Sequence, residues 1–147
     1  MVCSDEPYPV HATVVALLEE RGHEVVRMGA VADGQDAPYG SLAEAAALRI
    51  VQGDCDEGVF FCWTGTGISI AANKVPGIRA ALCGDAQTAS GARVWNHANV
   101  LCLSNRTVSG DIAKEIVEAW LDTAPGSQGA EAVRDLLEVE GRWRLAE

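Results

Sequence analysis

Cys62 ends a short apolar run, Val59 to Cys62, and leads directly into Trp63-Thr64-Gly65-Thr66-Gly67. The run reads as a strand, the two glycines as a turn, and Ile68, Ile70, Ala71 and Ala72 as a helix continuing into Asn73-Lys74. That order places backbone N–H groups and a helix N-terminus at the carboxyl end of the strand, where an anion or a developing negative charge is stabilised. A cysteine at the edge of such a turn marks it as a candidate active-site loop, which the rest of the chain supports. The bland alternative is a packing cysteine beside ordinary strand–helix punctuation.

Other elements must hold that loop and bring polar groups to it. Met1 to Cys3 is a very short apolar run ending in Ser4-Asp5-Glu6-Pro7. Val10 to Arg21 reads as a helix with Val14, Val15, Leu17 and Leu18 on one face, and Gly22 stops it. Glu24 to Met28 is expected to be a second strand, and Asp33 to Gly40 a polar loop. Ser41 is expected to cap a helix reaching Gln52, with Glu44 in the capping-box position. After the opening stretch, Arg79 to Cys83 reads as a strand, Ala86 to Asn96 as a helix, and Val100 to Leu103 as a buried strand. Ser109 to Leu121 forms a helix with Ile112, Ile116, Val117 and Trp120 on one side. Ala130 to Val139 makes a last acidic helix, followed by a mixed tail, Gly141 to Glu147.

Short, continuously apolar strands alternating with helices describe a parallel sheet covered on both faces. The expected fold is therefore α/β, a three-layer Rossmann-like sandwich with a five-stranded parallel sheet, in one domain spanning 1–147. Ligands in such sheets bind beyond the carboxyl ends of the strands. That rule gathers Asp5, Glu6, Cys62 to Gly67, Gly84, Asp85 and Ser104 to Arg106 at one rim.

Composition narrows the classes of function. The formal charge of −10 argues against nucleic acid and anionic membrane surfaces as partners. No apolar run approaches a membrane span, and the first residues lack a basic start and an apolar centre, so a cytoplasmic protein is expected. The five cysteines show no CxxC spacing, which indicates neither a disulfide framework nor a zinc site. Cys3, Cys83 and Cys102 read as buried small hydrophobes, and Cys55, in a polar run, as a surface residue.

From Cys62 to Arg106 the chain resembles the ribose-5-phosphate isomerase B family, which includes the galactose-6-phosphate isomerase subunits. TGTGISIAANKVPGIRAALC and NHANVLCLSNR carry the match, with Arg21-Gly22-His23-Glu24-Val25, Asp5 and Tyr39 also fitting family positions. The resemblance implies aldose–ketose isomerisation without metal or other cofactor. It also implies a homodimer or dimer of dimers with sites at the interface, and a segment 125–147 that packs on the partner. Cys62 would be the base, Thr64 and the N–H groups of Gly65 to Ser69 would hold the enediolate oxygen, and Asp5 would bind hydroxyls or pass protons. Glu6, Tyr39, Trp63, Gly65, Thr66, Gly67, Ser69, Trp95, Asn96 and Arg106 would contact the sugar or sugar phosphate.

Several family positions differ. The residue after the cysteine is normally glycine and is Trp63 here; the Asp-His pair is Asp5-Glu6; a ring-opening histidine falls on Trp95. His97 lies two positions further on, about 200° around a helix, and is a poor replacement. Phosphate-gripping arginines fall on Gln128 and Ala132, leaving Arg106. Glu6 adds negative charge where a phosphate dianion would sit, and the two tryptophans add flat apolar surface. A substrate without the usual terminal phosphate, or with a neutral or cationic group there, is expected. His11 and His23 read as structural or exposed. The competing readings are a non-catalytic sugar-binding or assembly subunit and, more weakly because TGTG lacks GxGxxG spacing, a nucleotide binder.

Overall fold

The computed structural model describes residues 1–144; the last three residues of the expected tail lie outside the described residues. Five strands, β1 (Val2–Ser4), β2 (Arg27–Gly29), β3 (Gly58–Cys62), β4 (Ala80–Leu82) and β5 (Val100–Ser104), form one sheet in the order β2-β1-β3-β5-β4. All four pairings are parallel, as the run of apolar strands separated by helices requires. The helices are α1 (Val10–Glu20), α2 (Ala30–Asp33), α3 (Tyr39–Val51), α4 (Thr66–Ala72), α5 (Ala86–Asn96), α6 (Gly110–Asp122) and α7 (Ala130–Trp143).

Alternation along the strands divides the core into two layers. Val2, Val59, Phe61, Leu101 and Leu103 pack under α1, α5 and α6; Cys3, Phe60, Cys62, Val100 and Cys102 pack under α3 and α4. The chain therefore leaves β1 toward one face and β3 toward the other. The loops that follow these neighbouring strands part company at the rim, the crevice where doubly wound sheets bind ligands. Cys3, Cys83 and Cys102 are buried as expected, and Cys55 is half-buried rather than at the surface.

Local chemistry sets the boundaries. Asp85 accepts from Thr88 N–H at 2.7 Å and Ser109 from Ile112 N–H at 3.3 Å, so α5 and α6 start where side-chain caps put them. Helix α3 differs from expectation. It begins at Tyr39, directly after Pro38, whose ring holds φ at −64°, and no side chain caps it. Ser41 lies inside the first turn and donates its hydroxyl to Pro38 O at 3.4 Å, so the expected cap with Glu44 is not made. The second strand also moves, from 24–28 to Arg27–Gly29. Gly22 at φ +87° and the bond from His23 N–H to Leu18 O at 3.0 Å spend those residues on ending α1. Gly29 then turns β2 into α2 at φ +58°, where a Cβ would come 2.5 Å from Ser4 O. On α6 the buried positions are Ala113, Ile116, Val117 and Trp120, while Ile112 is exposed. Helix α7 runs on to Trp143 instead of stopping at Val139.

Candidate active site

Strand β3 delivers Cys62 to the rim and buries its side chain, at 5% exposure, in the α3/α4 layer. Gly65 takes φ +75° under the side chain of Leu82, where a Cβ would sit 2.5 Å from a methyl carbon. Only glycine makes that turn, and it lets α4 start two residues after Thr64. The first N–H groups of α4 have no partner within the helix and open toward the rim. Thr64 and Thr66 hydroxyls are 2.6 Å apart, and Ser69 donates to Thr66 O at 3.1 Å, which ties the turn to itself. Tyr39 arrives from α3 and lies on Gly67, where a Cβ would approach its ring to 3.0 Å.

The loop after β1 supplies the acids. Asp5 is half-buried, and its Oδ1 has no hydrogen-bond partner among the described residues. Burial, reinforced by the neighbouring charges of Glu6 and Asp36, raises its carboxyl above the ordinary carboxylate range. Glu6 accepts from Tyr8 O–H at 3.2 Å, and the Tyr8 ring packs on Trp63 at 5.9 Å between centroids. Trp63 is half exposed, so the residue beside Cys62 forms an open aromatic wall and not a core filler. From β5, Arg106 N–H donates to Trp63 O and Asn105 N–H to Cys62 O, both at 2.9 Å, while the Arg106 side chain stays exposed. Asp85, the cap of α5, adds a further carboxylate, held below its usual range by Thr88. Among the described residues, no group of three or more His, Cys, Asp or Glu could hold a metal ion, and no helix is long and apolar enough to cross a membrane.

Cys62, Trp63, Thr64, Gly65, Thr66, Gly67, Ser69, Asp5, Glu6, Tyr39 and Arg106 thus come from one rim. Trp95 and Asn96 do not. Helix α5 starts at the rim with Asp85 and ends at the opposite edge, where Arg79 donates to His97 O at 3.0 Å just before β4 begins. A helix of 11 residues is about 16 Å long, and Trp95 and Asn96 sit at its far end. Within one chain they cannot meet Cys62. Tyr8, which holds Glu6 and backs Trp63, escaped notice in the sequence although it lies in a rim loop. His23 is exposed and His11 is buried.

The doubly wound sheet thus gathers a cysteine, a glycine turn and a half-buried aspartate at its switch point. The sequence profile described as Ribose/Galactose Isomerase matches residues 1–136, and the chain belongs to that family. Ribose-5-phosphate isomerase B of Escherichia coli (strain K12) is 37% identical over 141 residues, covering 95% of this chain and 94% of that protein. D-erythrulose-4-phosphate isomerase of Pectobacterium atrosepticum is 39% identical over 110 residues, 75% of this chain and 72% of its own length. The solved structure of Clostridium thermocellum ribose-5-phosphate isomerase B superposes with a TM-score of 0.89 at 38% identity, covering 97% of both chains. The chain is an isomerase of this family, and the Rossmann-like fold is that of its solved relatives.

Proposed function

We propose that this chain interconverts an aldose and a ketose through an enediolate, with Cys62 as the base. The thiolate removes the proton from the carbon next to the carbonyl, the electron pair moves into the new carbon–carbon double bond, and the carbonyl oxygen becomes negative. The N–H groups of Gly65 to Ser69, aided by the Thr64 hydroxyl, stabilise that oxygen; the hydroxyl proton of the adjacent carbon passes to it, and the proton held by Cys62 returns to the former carbonyl carbon as the new carbonyl forms beside it. Asp5 binds hydroxyls or carries a proton to the ring oxygen. The observation that carries this reading is the meeting of Cys62, the Gly65 turn and the unpartnered Asp5 oxygen at the switch point.

The preferred substrate is not ribose 5-phosphate. Relatives carry names built on different sugars, ribose 5-phosphate and D-erythrulose 4-phosphate among them. This rim holds Asp5, Glu6 and Asp85 against Arg106, and Glu6 has an aromatic neighbour and no cation as its hydrogen-bond partner. A phosphate dianion brought to Glu6 would be repelled in a site drier than bulk water. Tyr39, Trp63, Thr66, Gly67 and Ser69 line the sugar instead. The assembly is a homodimer or a dimer of dimers in which Trp95, Asn96 and helix α7 of one copy complete the other's site; the last three residues of the segment 125–147 lie outside the described residues. That assembly is supported by the exposed Leu136, Leu137, Val139 and Trp143 on α7, beside the far end of α5.

Solvent-deuterium exchange decides the reaction. Wild type is incubated in heavy water with tetroses, pentoses and hexoses, each with and without a terminal phosphate, beside Cys62→Ala. Deuterium at C1 or C2 with wild type, reduced by about a thousandfold or more in Cys62→Ala, is expected. Exchange undiminished in Cys62→Ala removes the cysteine from the base's role. Ribose 5-phosphate as the best substrate removes the proposed specificity.

A further inference from the structure

His11 lies in the first turn of α1, 4% exposed, and nothing in the chemistry above uses it. Its Nδ1 accepts from Tyr8 N–H at 3.3 Å, which only an unprotonated nitrogen does. The ring proton therefore sits on Nε2, which donates to Asn105 Oδ1 at 2.7 Å. That bond orients the Asn105 amide, and its Nδ2 donates to Ser4 Oγ at 3.2 Å. Ser4 in turn donates its hydroxyl to Glu6 O at 2.7 Å. Every donor meets an acceptor, and the ring is held neutral: burial lowers its pKa against the opposing bond to Asn105.

The direction of this chain is informative. It begins at Tyr8 N–H and ends at Glu6 O, so both ends lie in the loop that carries Asp5 and Glu6. Its middle, Asn105, holds Cys62 O through its own N–H at 2.9 Å. Ser4 is fully buried and Asn105 nearly so, which leaves no water to replace a lost partner. The ring of His11 also packs on Phe61, the residue before Cys62, at 4.6 Å between centroids. One uncharged histidine thus fixes the acid-bearing loop relative to the cysteine-bearing strand end.

We propose that His11 is a positioning residue for the isomerisation, acting through Asn105 and Ser4 to set Asp5 and Glu6 against Cys62; the claim rests on the reaction proposed above. A small misplacement of a proton-transferring group costs rate more than affinity. The test uses His11→Leu, which keeps the packing on Phe61 without polar atoms, His11→Gln, which keeps a donor and an acceptor, Asn105→Ala, and the His11→Leu/Asn105→Ala pair. With the sugar that wild type turns over best, His11→Leu lowers kcat about tenfold or more with KM changed less than about threefold. Asn105→Ala and the double variant lose about the same factor, because both interrupt one chain, and His11→Gln recovers most of it. Folded variants with wild-type kcat and only a lower melting temperature overturn the proposal. If wild type turns over no sugar, the isomerase reading fails separately and amide exchange decides this one. Faster exchange at Asp5, Glu6 and Tyr8 in His11→Leu but not in His11→Gln upholds the loop-fixing role, and unchanged exchange overturns it.

Discussion

At the amino end of the sheet, the guanidinium of Arg93 meets Glu57 at 2.6 Å, Ala98 O at 2.6 Å and Thr123 O at 3.1 Å, and lies 4.8 Å from the centre of the Trp120 ring. Glu57 spends its second oxygen on Trp120 Nε1 at 2.8 Å, and its carbonyl accepts from the Met1 amine at 2.7 Å. At the carboxyl end, Asp5 keeps an unpartnered oxygen, Glu6 is held by one tyrosine hydroxyl, and Tyr39 and Trp63 stand half exposed. The same sheet therefore carries at one end a charge cluster, Arg93 with Glu57, whose members satisfy one another, and at the other end acids that are left open. Compensated charge serves folding; uncompensated charge is tolerated where a ligand can complete it.

The sharpest way to break this contrast is Asp5→Asn. Its raised pKa means that protonation favours the folded state: that stability is present below the ordinary carboxylate value and lost as pH rises through the raised one. At neutral pH the ionised group is a cost, so asparagine is expected to leave the thermal midpoint unchanged or higher while kcat falls by about a hundredfold or more. A clearly lower midpoint with retained kcat would place Asp5 in the structural class instead. The mirror experiment is Glu57→Ala, which strands the Arg93 guanidinium and the Trp120 N–H. We expect a loss of about 2–4 kcal/mol in denaturant unfolding, with kcat of the folded protein within about twofold of wild type. Trp120→Phe removes one hydrogen bond of the same cluster and should cost about 1 kcal/mol, again without a change in kcat. The smallest effect is in pH. Glu6→Gln removes a negative neighbour of Asp5, so the acid limb of the activity profile should move to lower pH, and an unmoved limb would mean that Asp5 does not set it.

Several of these features were readable in the residues. Helix α5 was legible to the residue, and β3 and β5 to within one residue, because Val59 to Cys62 and Val100 to Leu103 are continuously apolar. Strand β2 was not, since its three residues are half exposed and pair on one side only, leaving no periodic signal. The Cys62 turn announced itself through glycine. His11 and Asn105 lie 94 residues apart, and nothing local in either marks their meeting. Trp95 and Asn96 entered the site through the family resemblance alone, and the far end of α5 holds them away from Cys62 of the same chain.

The sheet order also governs when this molecule can fold during synthesis. Strand β4 is made before β5, yet among the described residues it pairs with β5 alone, and β3 likewise has one open edge until β5 arrives. A nascent chain released as far as α5 would carry an apolar, five-residue β3 with nothing on one flank and a β4 with nowhere to pair. Such edges recruit other chains. The emergence of Val100–Ser104 is thus the event that joins β3 and β4 into one continuous sheet, and a ribosome pausing just before it would expose the chain at its most vulnerable length.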